Sequence, residues 1–436
     1  MFDFSDDFVK ESGKGMYSLM EQLYPICRSI TGNGVRETLK ILSKTVPLET
    51  KEIPTGTAVF DWTIPKEWNI SDAYIKDPKG KKIVDFKNSN LHVLGYSIPV
   101  HKKFKLSELK KHLFTLPDYP DSIPYLTSYY REKWGFCLTH NQFDRLEDGE
   151  YEVHIDSSLT DGSLTFGEYV IKGKTDDEVL ISCYVCHPSM CNDSISGVVL
   201  ATWLAKLLTK HKNKLHYTYR FLFIPETIGA ITWLSLNEKN VHRIKHGLIL
   251  TCVGDSGGFT YKKSRAGNNM IDLAAQKVLT DSGDKHRILE FDPFVGSDER
   301  QYCSPGFNLP VGSMMRTTYP DFSEYHTSKD DLDFVTAKGL GGSFEQYLMI
   351  INILENDRTY INLNPKCEPQ LGKRGLYDVM GSQKNHEEFH KALFWALNFS
   401  DGSHSLLDIS IRSSLKFDVV KSAADALCKA GLMRIK

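Results

Sequence analysis

The sequence predicts an α/β protein: a doubly wound, mainly parallel sheet with an inserted small β-rich domain and a C-terminal winged-helix domain. Three observations carry this expectation. Beyond residue 150, short apolar runs at 178–185, 217–224, 247–253 and 309–315 alternate with helical stretches at 194–210, 230–237, 270–279 and 343–355. Such alternation implies parallel strands covered on both faces by helices. Between 54 and 148 the texture changes to short β-like pieces separated by Pro and Asp-Pro-Lys-Gly turn signals. After a segment rich in Pro, Asn, Lys and Gly at 362–375, a helix, an Asp401-Gly402 turn and two further helices follow, the last closed by Gly431. The domains expected are therefore 1–53 with 149–365, the insert 54–148, and 370–436.

Taken in order, 17–44 reads as a helical pair broken at 29–34. Met20, Leu23, Tyr24 and Cys27 share one 3.6-period face, Leu39, Ile41 and Leu42 the next, and Pro25 weakens the first helix. In the insert, 57–63, 82–85 and 91–98 are the β-like pieces. Its rings (Trp62, Trp68, Tyr74, Tyr96, Tyr125, Tyr129, Tyr130, Trp134, Phe136) are expected mostly in core or interdomain packing, with a substrate pocket as the alternative use. In the last domain the recognition-helix position falls to a helix with Lys416, Lys421 and Lys429 against Asp418 and Asp425. One net positive charge neutralises too few phosphates for firm nucleic-acid binding, so packing or protein contact is favoured over nucleic acid.

Composition narrows the function classes. Fifty-three basic residues against 55 acidic ones give a net charge of −2, which argues against a global nucleic-acid or membrane footprint. Nine scattered cysteines suit a reducing, cytoplasmic setting better than a disulfide framework. No apolar run approaches the length of a membrane span. A homo-oligomer is compatible with all of this.

Chemistry concentrates after the strand at 178–185. Cys183-Tyr184-Val185-Cys186-His187 fits the C-x-x-C-H pattern of haem attachment, but residues 1–20 lack the basic start and apolar core of an export leader. A cysteine-rich zinc knuckle would need thiols that a strand points to opposite faces. A buried structural histidine is the plain alternative, and a catalytic metal on His187 and Asp193 the favoured one. Three further segments sit near strand ends, where ligands of open α/β sheets bind: Pro225-Glu226-Thr227, Gly254-Asp255-Ser256 and Tyr325-His326-Thr327. Beside a cation in a dry cleft, Glu226 can take a proton from water and pass it to a leaving amine.

In order and flanks these segments resemble the co-catalytic zinc exopeptidases of the bacterial leucyl aminopeptidase type. Their pattern runs His, Asp-Asp-Asn-x-Ser-Gly, Glu-Glu-x-Gly, a strand-end Asp, then His-Thr. The resemblance implies His187, Asp193 and His326 as metal ligands, Asp193 in the bridging position within Asn192-Asp193-Ser194-Ile195-Ser196-Gly197, and Glu226 as general base. Asp255 is implied as a further ligand, although it sits a few residues late, and Ser297-Asp298 is similar to the Ser-Asp before the last histidine. Where the pattern has Glu-Glu this chain has Glu226-Thr227, and a threonine hydroxyl binds zinc poorly, so one Zn²⁺ is expected rather than two. Over nearly its whole length the chain resembles a bacterial aminopeptidase-like family with the same domain plan. The implied activity is a zinc-dependent aminopeptidase or related amidase acting on a peptide or small amide; the rival is a non-catalytic regulator or scaffold acting through the winged helix.

Overall fold

The computed structural model describes residue 2 and residues 4–319, 321–376 and 383–436, the side chains of 383–386 excepted. Residues 377–382 of the expected winged-helix range thus lie outside the described residues. The chain packs as two units, one containing residues 4–269 and 285–345, the other 270–284 and 346–436. Residues 270–284 and 346–365, expected with the α/β domain, group instead with the C-terminal residues.

The larger unit is organised by eight strands: β1 Glu49–Pro54, β2 Ser163–Ile171, β3 Glu178–Tyr184, β4 Thr218–Ile224, β5 Ile244–Leu250, β6 Phe259–Lys262, β7 His286–Leu289 and β8 Val311–Met315. They lie in the order β1-β2-β4-β3-β5-β8-β6-β7. The central four, β4-β3-β5-β8, are parallel. β1, β2 and β6 join antiparallel. From β3 the chain crosses to β4 on one side and returns to β5 on the other, so the carboxyl end of β3 lies where the winding reverses, the usual ligand crevice.

Every residue of β3 is buried, as a strand covered on both faces requires. Each fully buried aliphatic side chain in this layer stabilises the fold by about 1.5–3 kcal/mol. The helix Ser196–Lys210 buries Val198, Val199, Leu200, Ala201, Leu204, Ala205 and Leu208. It starts tight against β5, where a Cβ on Gly197 would fall 2.0 Å from the Leu250 carbonyl oxygen. Only glycine permits that approach, and it fixes how deep the Asp193 turn sits.

The insert's strands Lys82–Asp85, Glu67–Lys76 and Val100–Lys105 form a four-stranded antiparallel sheet with Glu150–Thr160, which lies just past its expected end at 148 and sits between Glu67–Lys76 and Val100–Lys105. Ala73, Ile75, Val84, Leu109, Phe136, Tyr151, Val153 and Ile155 fill its core. The β-like piece expected at 91–98 is instead a 3₁₀ turn, Asn90–His92, followed by isolated bridges. A short hairpin, Ala58–Val59 with Trp62–Thr63, precedes the sheet. The first helix runs Asp6–Leu23, well before the expected start, and ends ahead of Pro25.

In the other unit the helices Gln383–Phe399, Leu406–Ser413 and Phe417–Lys429 accompany a three-stranded sheet of Asp401–Ser405, Thr359–Asn362 and Met433–Ile435. This is a winged helix. A reciprocal Ser405–Asp408 capping box starts its second helix, and Phe417, Val420, Ala423, Ala424 and Leu427 bury one face of the third. Among the described residues no helix is long and apolar enough to cross a membrane.

Candidate metal centre and active-site cleft

The loops after β3, β4, β5 and β8 meet at one cleft. His187 follows β3 by three residues and is buried, 5% exposed. The buried Arg28 donates from Nε to the His187 carbonyl at 2.9 Å, which anchors the loop backbone. Burial depresses the imidazole to a pKa of about 4, so at neutral pH it is uncharged and able to ligate. The Asp193 turn, Cys191–Ile195, is a single wide turn that leaves helical geometry at Asp193 (φ −109°, ψ 85°), ahead of the long buried helix. Its main chain is held by Asp330, which accepts from the Asn192 N–H at 2.5 Å and the Asp193 N–H at 2.8 Å.

The Asp193 carboxylate is itself hydrogen-bonded. Oδ1 accepts from Tyr184 at 2.8 Å and Thr251 at 3.1 Å, and Oδ2 lies 3.1 Å from His326 Nε2. Burial opposes its ionisation, yet the neighbouring imidazoles and the Tyr184 hydroxyl hold it below the ordinary carboxylate range. His187, Asp193 and His326 offer ligand atoms that all lie within 4.8 Å of one another. Two imidazoles and a carboxylate are a donor set that zinc takes, with ligand bonds of about 2.0–2.2 Å. The cluster therefore fits one ion with small side-chain adjustments.

Glu226 stands beside it. Its Oε2 is 3.7 Å from His187 Nε2, and Oε1 accepts from Ser297 Oγ at 3.2 Å. Burial, then the charges of Asp298 and Asp193, push its carboxyl well above the usual range. A carboxylate raised in this way suits proton transfer near neutral pH. The next residue, Thr227, has φ 62°, and Asp298 accepts its N–H at 2.7 Å. Ser189, Cys252 and His326 also have positive φ, 41°, 51° and 54°. Such strain collects where a fold forces side chains into functional positions.

Asp255 is a correction to the expected ligand set. It is buried, but Oδ1 accepts from the Gly257 N–H and Thr317 Oγ1, both at 2.7 Å, and Oδ2 from Asn192 Nδ2 at 3.0 Å. Its lone pairs are spent on donors from its own loop, from the Asn192 side chain and from Thr317 after β8, and it is not in the cluster. The residue at the end of β5 that faces Asp193 is Thr251, which the sequence reading missed because a threonine carries no metal-ligand signal. Asp330, Arg28 and Tyr184 were missed likewise: their roles depend on contacts that no local spacing encodes.

A cavity of about 340 Å³ opens on the cluster, lined by His187, Glu226, Thr227 and His326 together with four rings of the inserted stretch: Trp62, Tyr125, Tyr129 and Tyr130. Of the nine aromatic residues noted in the sequence these four face the cavity, while Trp68, Tyr96 and Phe136 are buried. Tyr125 packs against both imidazoles, with ring centroids 5.3 Å from His187 and 5.2 Å from His326.

Comparison with known proteins identifies the family. Residues 17–357 match the family described as a domain of unknown function, DUF4910, and residues 358–435 match a winged helix-turn-helix. The chain is 56% identical over 425 residues to a Clostridium acetobutylicum protein named as a candidate polysaccharide biosynthesis protein with an aminopeptidase-like domain, covering 98% of this chain and 97% of that one. A crystal structure of a candidate peptidase from the same organism superposes with a TM-score of 0.93 at 55% identity, over 99% of this chain and 98% of that one. BSAP, a zinc aminopeptidase from Bacillus subtilis, aligns with a TM-score of 0.56 at 12% identity, over 78% of this chain and 94% of its own, and so shares the fold. The chain belongs to the DUF4910 family, with an aminopeptidase-like domain followed by a winged helix-turn-helix.

Proposed function

We propose that this protein is a zinc-dependent hydrolase of peptide or small amide bonds, with His187, Asp193 and His326 holding one ion and Glu226 as general base. The observation that carries the reading is a cluster of two imidazoles and a carboxylate, with His187 and Asp193 buried and His326 half-buried, and the Glu226 carboxylate 3.7 Å from His187 beside a cavity. A zinc ion in such a site supplies Lewis acidity, polarising a carbonyl and acidifying water. The protein's own groups do the rest. Glu226, steadied by Ser297, takes a proton from the attacking water and returns it to the leaving nitrogen. Tyr184 and Thr251 fix Asp193, and the aromatic wall keeps bulk water from the carboxylates. The names of the relatives support an aminopeptidase-like activity, and one of them a place in polysaccharide biosynthesis.

A second reading is a metal-holding regulator without turnover. It is favoured by Thr227 and Thr251, threonines where the exopeptidase pattern has carboxylates. The two readings separate on the zinc-loaded full-length protein given a panel of aminoacyl and N-acyl amides. Hydrolysis by the parent, with Glu226→Gln keeping its zinc and losing about 10²–10⁴-fold in turnover, supports the hydrolase. A parent inert on every amide, or a Glu226→Gln variant equally active, supports the regulator. For the winged helix we infer a packing or protein-contact role: Lys421 is paired with Asp425 at 2.5 Å, which reduces an already small positive charge.

A further inference from the structure

The cavity beside the metal cluster is poor in charge. Among the described residues its lining includes no lysine or arginine, and Glu226 is its one carboxylate. The other carboxylates nearby, Asp193 and Asp298, do not line it. Both oxygens of Asp193 face protein partners, Tyr184 and Thr251 on one side and His326 on the other. Asp298 is fully buried outside the lining and accepts the Thr227 N–H through Oδ1. A substrate with a free α-ammonium would therefore have only Glu226 to pair with, and pairing would occupy the base that hydrolysis needs. An unpaired ammonium brought against the rings would lose its hydration with partial compensation at best.

What the walls do offer is neutral. Hydroxyls of Tyr125 and Tyr129 lie 3.2 Å apart, with Thr127 and Thr227 also in the lining. Each can donate to or accept from an amide or alcohol. At the rim, Trp62 and Tyr130 are 41% and 49% exposed and meet edge to face at 5.6 Å between centroids. Large rings left open at a cavity mouth, Trp62 on the short hairpin and Tyr130 in a turn, add little to the core; they suit a ligand that lays a flat, uncharged face on them.

We propose that the cavity takes an amide whose amine end is acylated and uncharged, with a flat ring or peptide plane lying on Trp62 and Tyr130, in preference to a chain with a free α-ammonium. The proposal rests on the hydrolase reading above and names its substrate class. In the reaction, water's oxygen bonds to the carbonyl carbon, the C–N bond breaks, and the proton carried by Glu226 goes to the nitrogen, giving a carboxylate and an amine.

The test is calorimetric binding to the zinc-loaded full-length protein at pH 6.5, where leucinamide is protonated. Its partners are N-acetylleucinamide, which differs only in the acyl group, and N-acetylglucosamine. We expect at least one acylated compound to bind about 10-fold or more tightly than leucinamide, and Trp62→Ala and Tyr130→Ala each to weaken it at unchanged zinc content and melting temperature. Which acylated compound binds better tells a sugar source from a peptide source. Leucinamide binding equally or more tightly, no compound binding at ~10 mM, or both ring variants binding like the parent overturns the proposal. Chromatography of the same samples reads cleavage separately: acylated ligands bound but uncleaved would count against the hydrolase reading, while cleavage with leucinamide preferred would count against the substrate class.

Discussion

Two buried aspartates at neighbouring strand ends, Asp193 and Asp255, have opposite fates. Both are 2% exposed, and both stood in the sequence as metal-ligand candidates. Asp193 faces two imidazoles across a cleft, with hydroxyl donors behind it and one oxygen turned to His326. Asp255 faces only donors of its own surroundings, Gly257, Thr317 and Asn192. Burial alone therefore does not make a ligand. What decides is whether the lone pairs point at groups that can share an ion or at N–H and O–H groups that use them up.

That contrast is open to breakage at four points. The largest effect is expected for Asp193→Asn, which keeps the shape and removes the charge between the imidazoles. Zinc affinity should fall by more than about 10²-fold, since even supporting residues of such sites are worth 10–100-fold. Equilibrium dialysis with elemental analysis reads this, and retained affinity would mean that Asp193 is structural like Asp255. Next, Glu226→Gln should hold zinc like the parent while amide turnover drops by ~10²–10⁴, separating the base from the ligands.

Asp255→Asn should do the reverse of Asp193→Asn. Its amide NH₂ would meet a donor in a buried site, lowering unfolding stability by about 1–3 kcal/mol in denaturant titration while leaving zinc stoichiometry untouched. A loss of zinc there would return Asp255 to the ligand set. The smallest effect belongs to Thr251→Val, which removes one of the two hydroxyl donors behind Asp193 and should weaken zinc binding by roughly 10-fold. No change would show that the Tyr184 hydroxyl suffices alone.

The same contrast explains what was legible in the sequence. The parallel core was, because β3, β4, β5 and β8 are apolar runs separated by helical stretches, and the strand-end rule then gathered His187, Asp193, Glu226 and His326. The antiparallel additions were not: β1 is Glu49-Thr50-Lys51-Glu52-Ile53-Pro54, four of its six residues exposed, with no apolar signature to betray an edge strand. Asp255 misled because a carboxylate near a strand end looks the same whether or not its lone pairs are free. Thr251 escaped because only the fold shows that the first residue beyond β5 points at Asp193. The four cavity rings were visible as aromatic residues, but nothing in their spacing distinguished Trp62 and Tyr130 at the rim from Trp68 and Tyr96, stacked at 5.8 Å in the interior.

A metal centre at His187, Asp193 and His326 is tested by zinc titration of the chelator-stripped, full-length protein beside its His326→Ala variant, followed by calorimetry. Such a centre predicts one equivalent bound by the parent with Kd below ~1 µM, and binding lost or weakened at least ~100-fold in the variant. No binding to the parent below ~100 µM, or identical isotherms for the two proteins, would contradict a metal centre at His187, Asp193 and His326.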